Sequence, residues 1–263
     1  MAAYLISVYL ISITRACLVI GLPKSMFYYK PCKDDGEVIE KLQQLAENKP
    51  NEGQDKFYYR IRLQGIKWNY KRIRRVYKML GLNIRRKMKR RFPARVKEPL
   101  HQAEETNKVW SMDFMSDSLI SKRKFRVLNI MDDFNRRAVH IEADFSLPTS
   151  RVVQALKIAI HEYGKPEKIR VDNGPEFTSS DFTDWCQREQ ITVQYIQPGR
   201  PMQNGFIERF NRSYRQDVLN AYLFEDLNQL KIITEEWIDD YNNHRPHESL
   251  GGVPPEKYIT HAC

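Results

Sequence analysis

The sequence predicts an α/β domain, built on a mixed five-stranded sheet with flanking helices and preceded by small all-α helix-turn-helix modules. Before about residue 106 the apolar residues recur at helical spacing, whereas from about Val109 onward short apolar stretches typical of strands alternate with helical stretches. The chain has 263 residues, of which 41% are hydrophobic and 29% are charged. These values are typical of a globular protein with a sizeable core and exclude a collagen-like or disordered chain.

The first helical module is predicted around Gly21. Residues 14–29 read as a helix, a tight turn at Gly21 and a second helix that begins near Pro23, as in a helix-turn-helix. The apolar residues 2–13 that precede it are fewer than the about 20 residues of a membrane span. We therefore expect a buried helix or a wrongly chosen start codon there, and no membrane partner.

The four cysteines lack the spacing of a zinc site, so we expect reduced thiols.

The second helical module carries the positive charge of the chain. Residues 56–97 contain 17 Lys and Arg residues and no acidic residue, while the remaining 26 basic residues are outnumbered by 33 acidic ones. An apolar helix face begins at Ile73, and Gly81 ends that helix. Such concentrated charge favours nucleic acid as the partner, with a solvated helix face or a flexible basic linker as the alternative. The predicted DNA contacts are basic side chains of this helix and of the linker after it, namely Lys71, Arg72, Arg74, Arg75, Lys78, Arg85, Arg86, Lys87, Lys89, Arg90 and Arg91.

The part of the chain after the linker follows the order βββαβαβα. Three successive strands indicate an antiparallel meander, and the later strands alternate with helices. This order in a mixed sheet is the ribonuclease H-like arrangement. The predicted strands are 109–117, 125–131, 138–145, 169–171 and 191–196, and the last helix is 202–221. The chain is thus predicted to divide into an N-terminal helical segment 1–50, the basic module 51–84, a basic linker 85–106, the catalytic core 107–223 and a C-terminal helical extension 224–263.

Three acidic residues at the ends of these elements are the candidate catalytic residues. Asp113 lies within the first strand, Asp172 follows the fourth strand, and Glu208 lies on the last helix. Carboxylates are the ligands that Mg²⁺ prefers, and two such ions about 4 Å apart can activate a hydroxyl and stabilise a leaving oxygen. A single acidic residue is usually a solvated surface group. The prediction therefore rests on the combination of strand, strand end and helix.

Four stretches of the chain resemble transposases of the insertion-sequence three family, and more narrowly their second-reading-frame product, which has a retroviral-integrase-like catalytic core. They are WSMDF at 110–114, DNGPEF at 172–177, QPGRPMQNGFIERFN at 197–211 and YNNHRPHESLG at 241–251. The resemblance implies that Asp113, Asp172 and Glu208 form an acidic triad that binds two Mg²⁺ ions, for which Mn²⁺ can substitute. It places Arg215 at the basic position seven residues beyond the glutamate.

Two further residues near the triad are predicted to contact DNA. Arg215 lies two helical turns after Glu208, so its side chain can reach a phosphate near the metals, although a solvated arginine is the alternative. Asn173 directly follows Asp172 and either contacts DNA or only forms a turn.

The resemblance implies the function of a DNA transposase, a polynucleotidyl transferase of the DDE type. Such an enzyme binds the inverted-repeat ends of its element, cleaves to expose a 3′ hydroxyl and joins that hydroxyl to target DNA. The implied partners are double-stranded DNA of the ends and the target, further copies of the chain, and the helix-turn-helix protein of the upstream frame. The expected location is the cytoplasm and nucleoid of a bacterium. The alternatives are a catalytically inactive DNA-binding regulator derived from a transposase, a ribonuclease H-like nuclease without strand transfer and an anchored membrane protein.

Other candidate residues receive structural interpretations. Asp132 and Asp133 lie in a turn, where a capping role is expected. His244 and His247 are expected to contact DNA or to pack, because metal ions can generate the nucleophile without histidine. The four tryptophans are expected in the core rather than in base-stacking platforms.

Overall fold

The computed structural model describes residues 1–28, 34–84, 103–197 and 204–262. The chain divides into two compact units, Met1–Gln43 and Gln44–Cys263. This division does not test the predicted five parts, which stay a prediction. The helices that begin in the first unit are α1 (Ala2–Tyr9), α2 (Ile13–Ile20), α3 (Lys24–Tyr28) and α4 (Gly36–Asn48), of which α4 continues into the second unit.

The first unit confirms the predicted turn and corrects the predicted burial of its first helix. Gly21 ends α2 with a φ of 66°, a left-handed conformation that glycine adopts without strain, and α3 follows. The side chains of Tyr4, Val8 and Tyr9 in α1 are 61%, 51% and 64% exposed, so the prediction of a buried helix is wrong. Helix α1 is apolar on all sides, and packing against another helix covers one side only.

The second unit begins with a helical pair, α5 (Gln54–Leu63) and α6 (Tyr70–Met79). The predicted apolar face of α6 is confirmed, because Ile73, Val76 and Tyr77 are buried. Asn69 caps this helix by accepting a hydrogen bond from the backbone N–H of Lys71 at 2.8 Å. The helix thus packs through one face and presents basic side chains on the other.

The sheet has five strands in the order β3-β2-β1-β4-β5. Strands β1, β2 and β3 pair antiparallel, whereas β4 pairs parallel with β1 and β5 pairs parallel with β4. The predicted mixed five-stranded sheet is therefore confirmed. The strands are β1 (Val109–Ser118), β2 (Lys124–Asp132), β3 (Ala138–Asp144), β4 (Lys168–Val171) and β5 (Thr192–Tyr195).

Alternate strand residues point to opposite sides of the sheet, so apolar side chains lie on both of its faces, and helices cover each face. One core contains Trp110 and Met112 together with Leu156, and the other contains Met115 together with Phe210. The helices of the first core are α7 (Thr149–Tyr163), α8 (Pro175–Thr178) and α9 (Ser180–Arg188), and those of the second are α10 (Gly205–Tyr214) and α11 (Leu227–Asp239).

The last predicted helix of the core differs from expectation in its second half. Helix α10 changes at Arg215 to a π-helical turn, Arg215–Leu219, instead of continuing as one α-helix to residue 221. In this wider turn the carboxylate of Asp217 accepts hydrogen bonds from Trp237 and Arg245. The chain then forms, after α11, a second π-helical turn Asp240–His244, a short 3₁₀ turn Glu248–Leu250 and α12 (Pro255–Ala262).

Within the described ranges, every helix is too short or too polar to cross a membrane.

Candidate active site

The three candidate catalytic residues lie on adjacent elements of the second unit. The parallel register of β1 and β4 pairs Ser111 with Arg170, so Asp113 and Asp172, each two residues further on, are level with one another. Helix α10, which carries Glu208, packs against β1. The elements that carry the three residues are therefore neighbours, and their shared role as a metal-binding triad stays a prediction.

The pKa of Asp113 responds to burial and to both of the other candidate carboxylates. Burial raises the pKa of Asp113 from 3.8 to about 6, and the negative charges of Asp172 and Glu208 add to this increase. Two hydrogen bonds lower the pKa of Asp113 instead. Its carboxylate accepts them from the backbone N–H of Phe114 at 2.9 Å and from Asn211 Nδ2 at 2.7 Å. The carboxylate of Asp113 is thus repelled by the charges of both Asp172 and Glu208.

Two asparagines that sequence reasoning missed hold Asp113 in place. Asn129 Nδ2 donates to Asn211 Oδ1 at 2.6 Å, and Asn211 Nδ2 donates in turn to Asp113 Oδ2. Both side chains are buried. Asn211 lies three residues after Glu208 on the same helix, and this spacing could have identified it. Asn129 pairs with Asp113 across β1 and β2, a register that only the sheet reveals.

A complete metal site is not seen in the described part of the chain. No group of three or more His, Cys, Asp or Glu side chains there has an arrangement that could hold a metal ion. The donor chemistry nevertheless fits a divalent cation, because carboxylate oxygens are hard ligands and a cation would favour the charged form of Asp113, which burial and the two neighbouring charges disfavour. Residues 198–203, directly before α10, lie outside the described residues.

The raised pKa of Asp113 predicts how the stability of the metal-free protein depends on pH. The carboxyl group releases its proton near pH 3.8 in the unfolded chain but near pH 6 in the fold. The unfolded state therefore binds fewer protons between these values, and the free energy of unfolding falls by on the order of 2–3 kcal/mol as pH rises from about 4 to 6. Urea unfolding in a chelating buffer measures this loss. Asp113→Asn should lack it, and Mn²⁺ should diminish it in the wild type. An identical pH profile for the variant would contradict the assignment.

The two predicted DNA contacts near the triad are engaged within the protein. Arg215 Nη1 pairs with Asp117 at 3.2 Å, and Arg215 Nη2 donates to the carbonyl of Ser116 at 3.0 Å. Asn173 Nδ2 donates to the carbonyl of Ile196 at 3.1 Å, although the residue is exposed. Their contact with DNA stays a prediction.

The basic residues of α6 present a charged surface. Lys71, Arg74 and Lys78 are exposed, and the guanidinium of Arg72 lies 6.0 Å from the centre of the Trp68 ring. Arg75 is also exposed and is held by an interaction within the protein. The predicted contacts in the linker, Arg85, Arg86, Lys87, Lys89, Arg90 and Arg91, lie outside the described residues.

The two aspartates of the β2–β3 turn differ in role. Asp132 caps the turn by accepting hydrogen bonds from the backbone N–H groups of Phe134 and Asn107, as predicted. The capping role predicted for Asp133 is wrong, because its buried carboxylate pairs with Arg170 at 2.6 Å and accepts from Ser111 Oγ at 2.6 Å. Arg170 lies 37 positions after Asp133 in the chain, and the parallel pairing of β1 with β4 brings the two residues together.

His247 and three of the tryptophans have structural roles, whereas His244 is exposed. His247 packs edge-on against Tyr241 with ring centres 4.8 Å apart, which confirms the packing alternative. Three of the four tryptophans are buried, as predicted, whereas Trp68 is half-buried. Both described cysteines are free thiols.

The helical pair α5–α6 is tied to the C-terminal part of the same unit. The guanidinium of Arg60 donates to Glu52 at 2.7 and 2.8 Å and to Asp240 at 3.0 and 3.2 Å. Gly252, with a φ of 84°, approaches the Tyr59 ring so closely that a Cβ atom would overlap it. The basic surface of α6 is thereby held at a defined position in the unit that contains the three carboxylates.

Comparison with known proteins gives a relative that matches nearly the whole chain. The uncharacterized 31.7 kDa protein of insertion element IS407, from Burkholderia multivorans, is 35% identical over 250 residues, which cover 94% of this chain and 90% of the relative. The chain belongs to the insertion-sequence three family of transposases. A second relative of this transposase, the uncharacterized 39.2 kDa protein of insertion element IS476 from Xanthomonas euvesicatoria, is 34% identical over 246 residues, which cover 93% of this chain and 71% of the relative.

Family and structural matches agree with this membership. Residues 103–201 and 189–255 of the transposase match two models of an integrase core domain. The simian T-cell lymphotropic virus intasome, solved in complex with PP2A regulatory subunit B56 gamma, superposes with a TM-score of 0.51 at 18% identity, covering 84% of this chain and 74% of that chain. The predicted ribonuclease H-like fold is therefore confirmed.

Proposed function

We propose that this transposase binds the ends of its insertion element, cleaves DNA to expose a 3′ hydroxyl and joins that hydroxyl to target DNA. The observation that supports the proposal is the placement of Asp113 on β1 beside the end of β4, which Asp172 follows, with α10, which carries Glu208, packed against β1. Transfer of a phosphodiester between hydroxyl groups needs no covalent enzyme intermediate when positioning and charge stabilisation are supplied.

The three carboxylates are proposed to hold two Mg²⁺ or Mn²⁺ ions. Bound Mg²⁺ supplies a Lewis acid that activates the attacking hydroxyl and stabilises the leaving oxygen. The chain itself orients the ligands: Asn211 fixes one oxygen of Asp113 and the N–H of Phe114 fixes the other. Asn129 in turn fixes Asn211, so the carboxylate is held before any ligand arrives.

DNA is proposed to lie along the basic surface of α6 and the linker after it. Neutralising phosphates with these lysines and arginines releases counterions, which favours double-stranded DNA regardless of sequence. Two element ends must be held together during joining, so more than one copy of the chain is expected in the active assembly. The upstream-frame helix-turn-helix protein is a further proposed partner, and a bacterial cytoplasm and nucleoid are the proposed location because the substrate is DNA.

The test is a cleavage and joining assay on DNA that carries the ends of the element. Wild-type protein with Mg²⁺ should produce joined DNA, and Glu208→Gln should not, because it removes the charge of one carboxylate but keeps the shape of the side chain. Both proteins should bind the same DNA equally in a chelating buffer. Equal joining by the two proteins would refute the proposal.

A specific outcome of this assay would favour the inactive regulator instead. That protein would bind the element ends, give no joining with Mg²⁺ or Mn²⁺, and bind DNA in the same way after Glu208→Gln. Cleavage without joining of a precut end would indicate a nuclease.

A further inference from the structure

Four basic side chains from separate parts of the second unit line one cavity of about 540 Å³. Lys56 comes from α5, Arg136 from the β2–β3 turn, Arg209 from α10 and Arg245 from the segment after α11. Arg245 is already paired with Asp217, and the charges of Lys56, Arg136 and Arg209 still outnumber the two acidic residues of the lining, Glu208 and Glu248. We refer to the space between Lys56, Arg136, Arg209 and Arg245 as the cationic cavity.

Two polar atoms of this lining have no hydrogen-bond partner among the described residues. They are Arg136 Nη1 and His247 Nε2, and both are buried. The Arg136 side chain rests on the Phe206 ring, with its guanidinium carbon 3.4 Å from the ring centre, and the residue is only 7% exposed. A buried donor without a partner costs free energy. Arg136 Nη1 is always a donor, so this atom indicates that the lining can take an acceptor from outside the chain, whereas His247 Nε2 can donate or accept according to its tautomer.

The charges of the cavity also act on one another. Burial lowers the pKa of His247 to about 3, and the charges of Arg245, Lys56, Arg136 and Arg209 each contribute. Burial and the charge of Arg245 lower the pKa of Lys56 to about 8. An anion in the cavity would relieve this mutual repulsion.

We propose that the cationic cavity binds a backbone phosphate of the DNA strand that is processed beside Glu208. Guanidinium and ammonium groups match the oxygens of a phosphodiester in charge and in hydrogen bonding. Glu208 borders the cavity, so a phosphate held there positions the strand relative to the three carboxylates. This inference rests on the proposed function, because it takes DNA to be present at Glu208.

Arg209→Gln tests the cavity without any catalytic step. Arg209 is exposed, so the variant should fold, which urea unfolding verifies. In a chelating buffer, duplex DNA carrying the element ends should bind about tenfold more weakly to the variant. The slope of log K against log salt should become shallower by about 0.9, the value for one phosphate contact. Arg188→Gln removes the same charge from an exposed position of α9 and should keep the wild-type slope.

DNA with single neutral methylphosphonate linkages identifies the phosphate. A methylphosphonate at one position near the processed end should weaken DNA binding by the wild type. The same linkage should cause no further loss of affinity in Arg209→Gln, because the two changes remove the same contact. Lys56→Met should show the same lack of additivity. Fully additive losses at every position would overturn the proposal. Inorganic phosphate that stabilises the wild type but not Arg209→Gln, with an unchanged salt slope for DNA, would overturn the DNA assignment in favour of a free phosphate.

These outcomes are separable from failure of the proposed function, because binding is measured without cleavage. Wild-type protein that shows the methylphosphonate coupling but no joining would remove the catalytic proposal and retain the cavity. Joining of DNA by wild-type protein that shows no methylphosphonate coupling would overturn the cavity proposal and retain the catalytic proposal.

Discussion

Asp172→Asn is expected to slow strand transfer by about three orders of magnitude or more while the fold is preserved. The substitution removes one of the three carboxylates that are proposed to hold the metal ions. An asparagine oxygen can still accept the hydrogen bond from the backbone N–H of Gly174, which Asp172 now accepts at 3.1 Å, so the turn after β4 is retained. The pKa of Asp113 should also fall, because one of the two charges that raise it is lost. The rate of joining of a precut end, measured in a single turnover, checks this prediction.

The matched control is Asp181→Asn, which removes the same charge from an exposed position of α9. It should join DNA at the wild-type rate. Asp172→Asn should bind the element ends with wild-type affinity in a chelating buffer, because the predicted DNA contacts are untouched. A joining rate within a few fold of the wild type for Asp172→Asn would remove that residue from the proposed triad.

Arg60→Met is expected to lower the free energy of unfolding by about 3–5 kcal/mol. Arg60 is the shared partner of Glu52 and Asp240, and Glu52 is only 3% exposed. Burial would raise the pKa of Asp240, but the hydrogen bonds and charge of Arg60 hold it below its ordinary value. Without the arginine Glu52 loses its ion-pair partner in a poorly solvated site, and Asp240 keeps its pair with Lys49 at 3.0 Å. Urea unfolding at pH 7 measures the loss.

The control on the same helix is Arg62→Met, which removes an exposed arginine and should change stability by about 0.5 kcal/mol or less. Adding Glu52→Gln and Asp240→Asn to Arg60→Met should recover much of the loss, because no buried charge then lacks a partner. An Arg60→Met protein as stable as Arg62→Met would show that this contact does not hold α5 in place.

Local patterns predicted most of the elements and selected three candidate catalytic residues, whose role stays a prediction. The apolar face of α6 and the strands of the sheet follow from side-chain periods of 3.6 and 2, which any short window of the chain displays. Asp113, Asp172 and Glu208 could be selected because each lies at a recognisable place on such an element. The π-helical turn at Arg215 could not be predicted from the sequence, because the helical pattern of apolar residues continues through residue 221.

Pairings between distant residues could not be read from the sequence. Asn129 faces Asp113 only through the register of β1 and β2, and Asp133 meets Arg170 only because β4 lies beside β1. Arg60 and Asp240 are 180 positions apart. Many acidic and amide residues are equivalent in a linear chain, and which of them share a buried site depends on sheet order and helix packing. The candidate catalytic residues of this transposase could therefore be selected from local sequence patterns. The residues that hold them in position are brought close by long-range contacts, which local patterns do not predict, because hydrogen bonds and charges act through space and not along the chain.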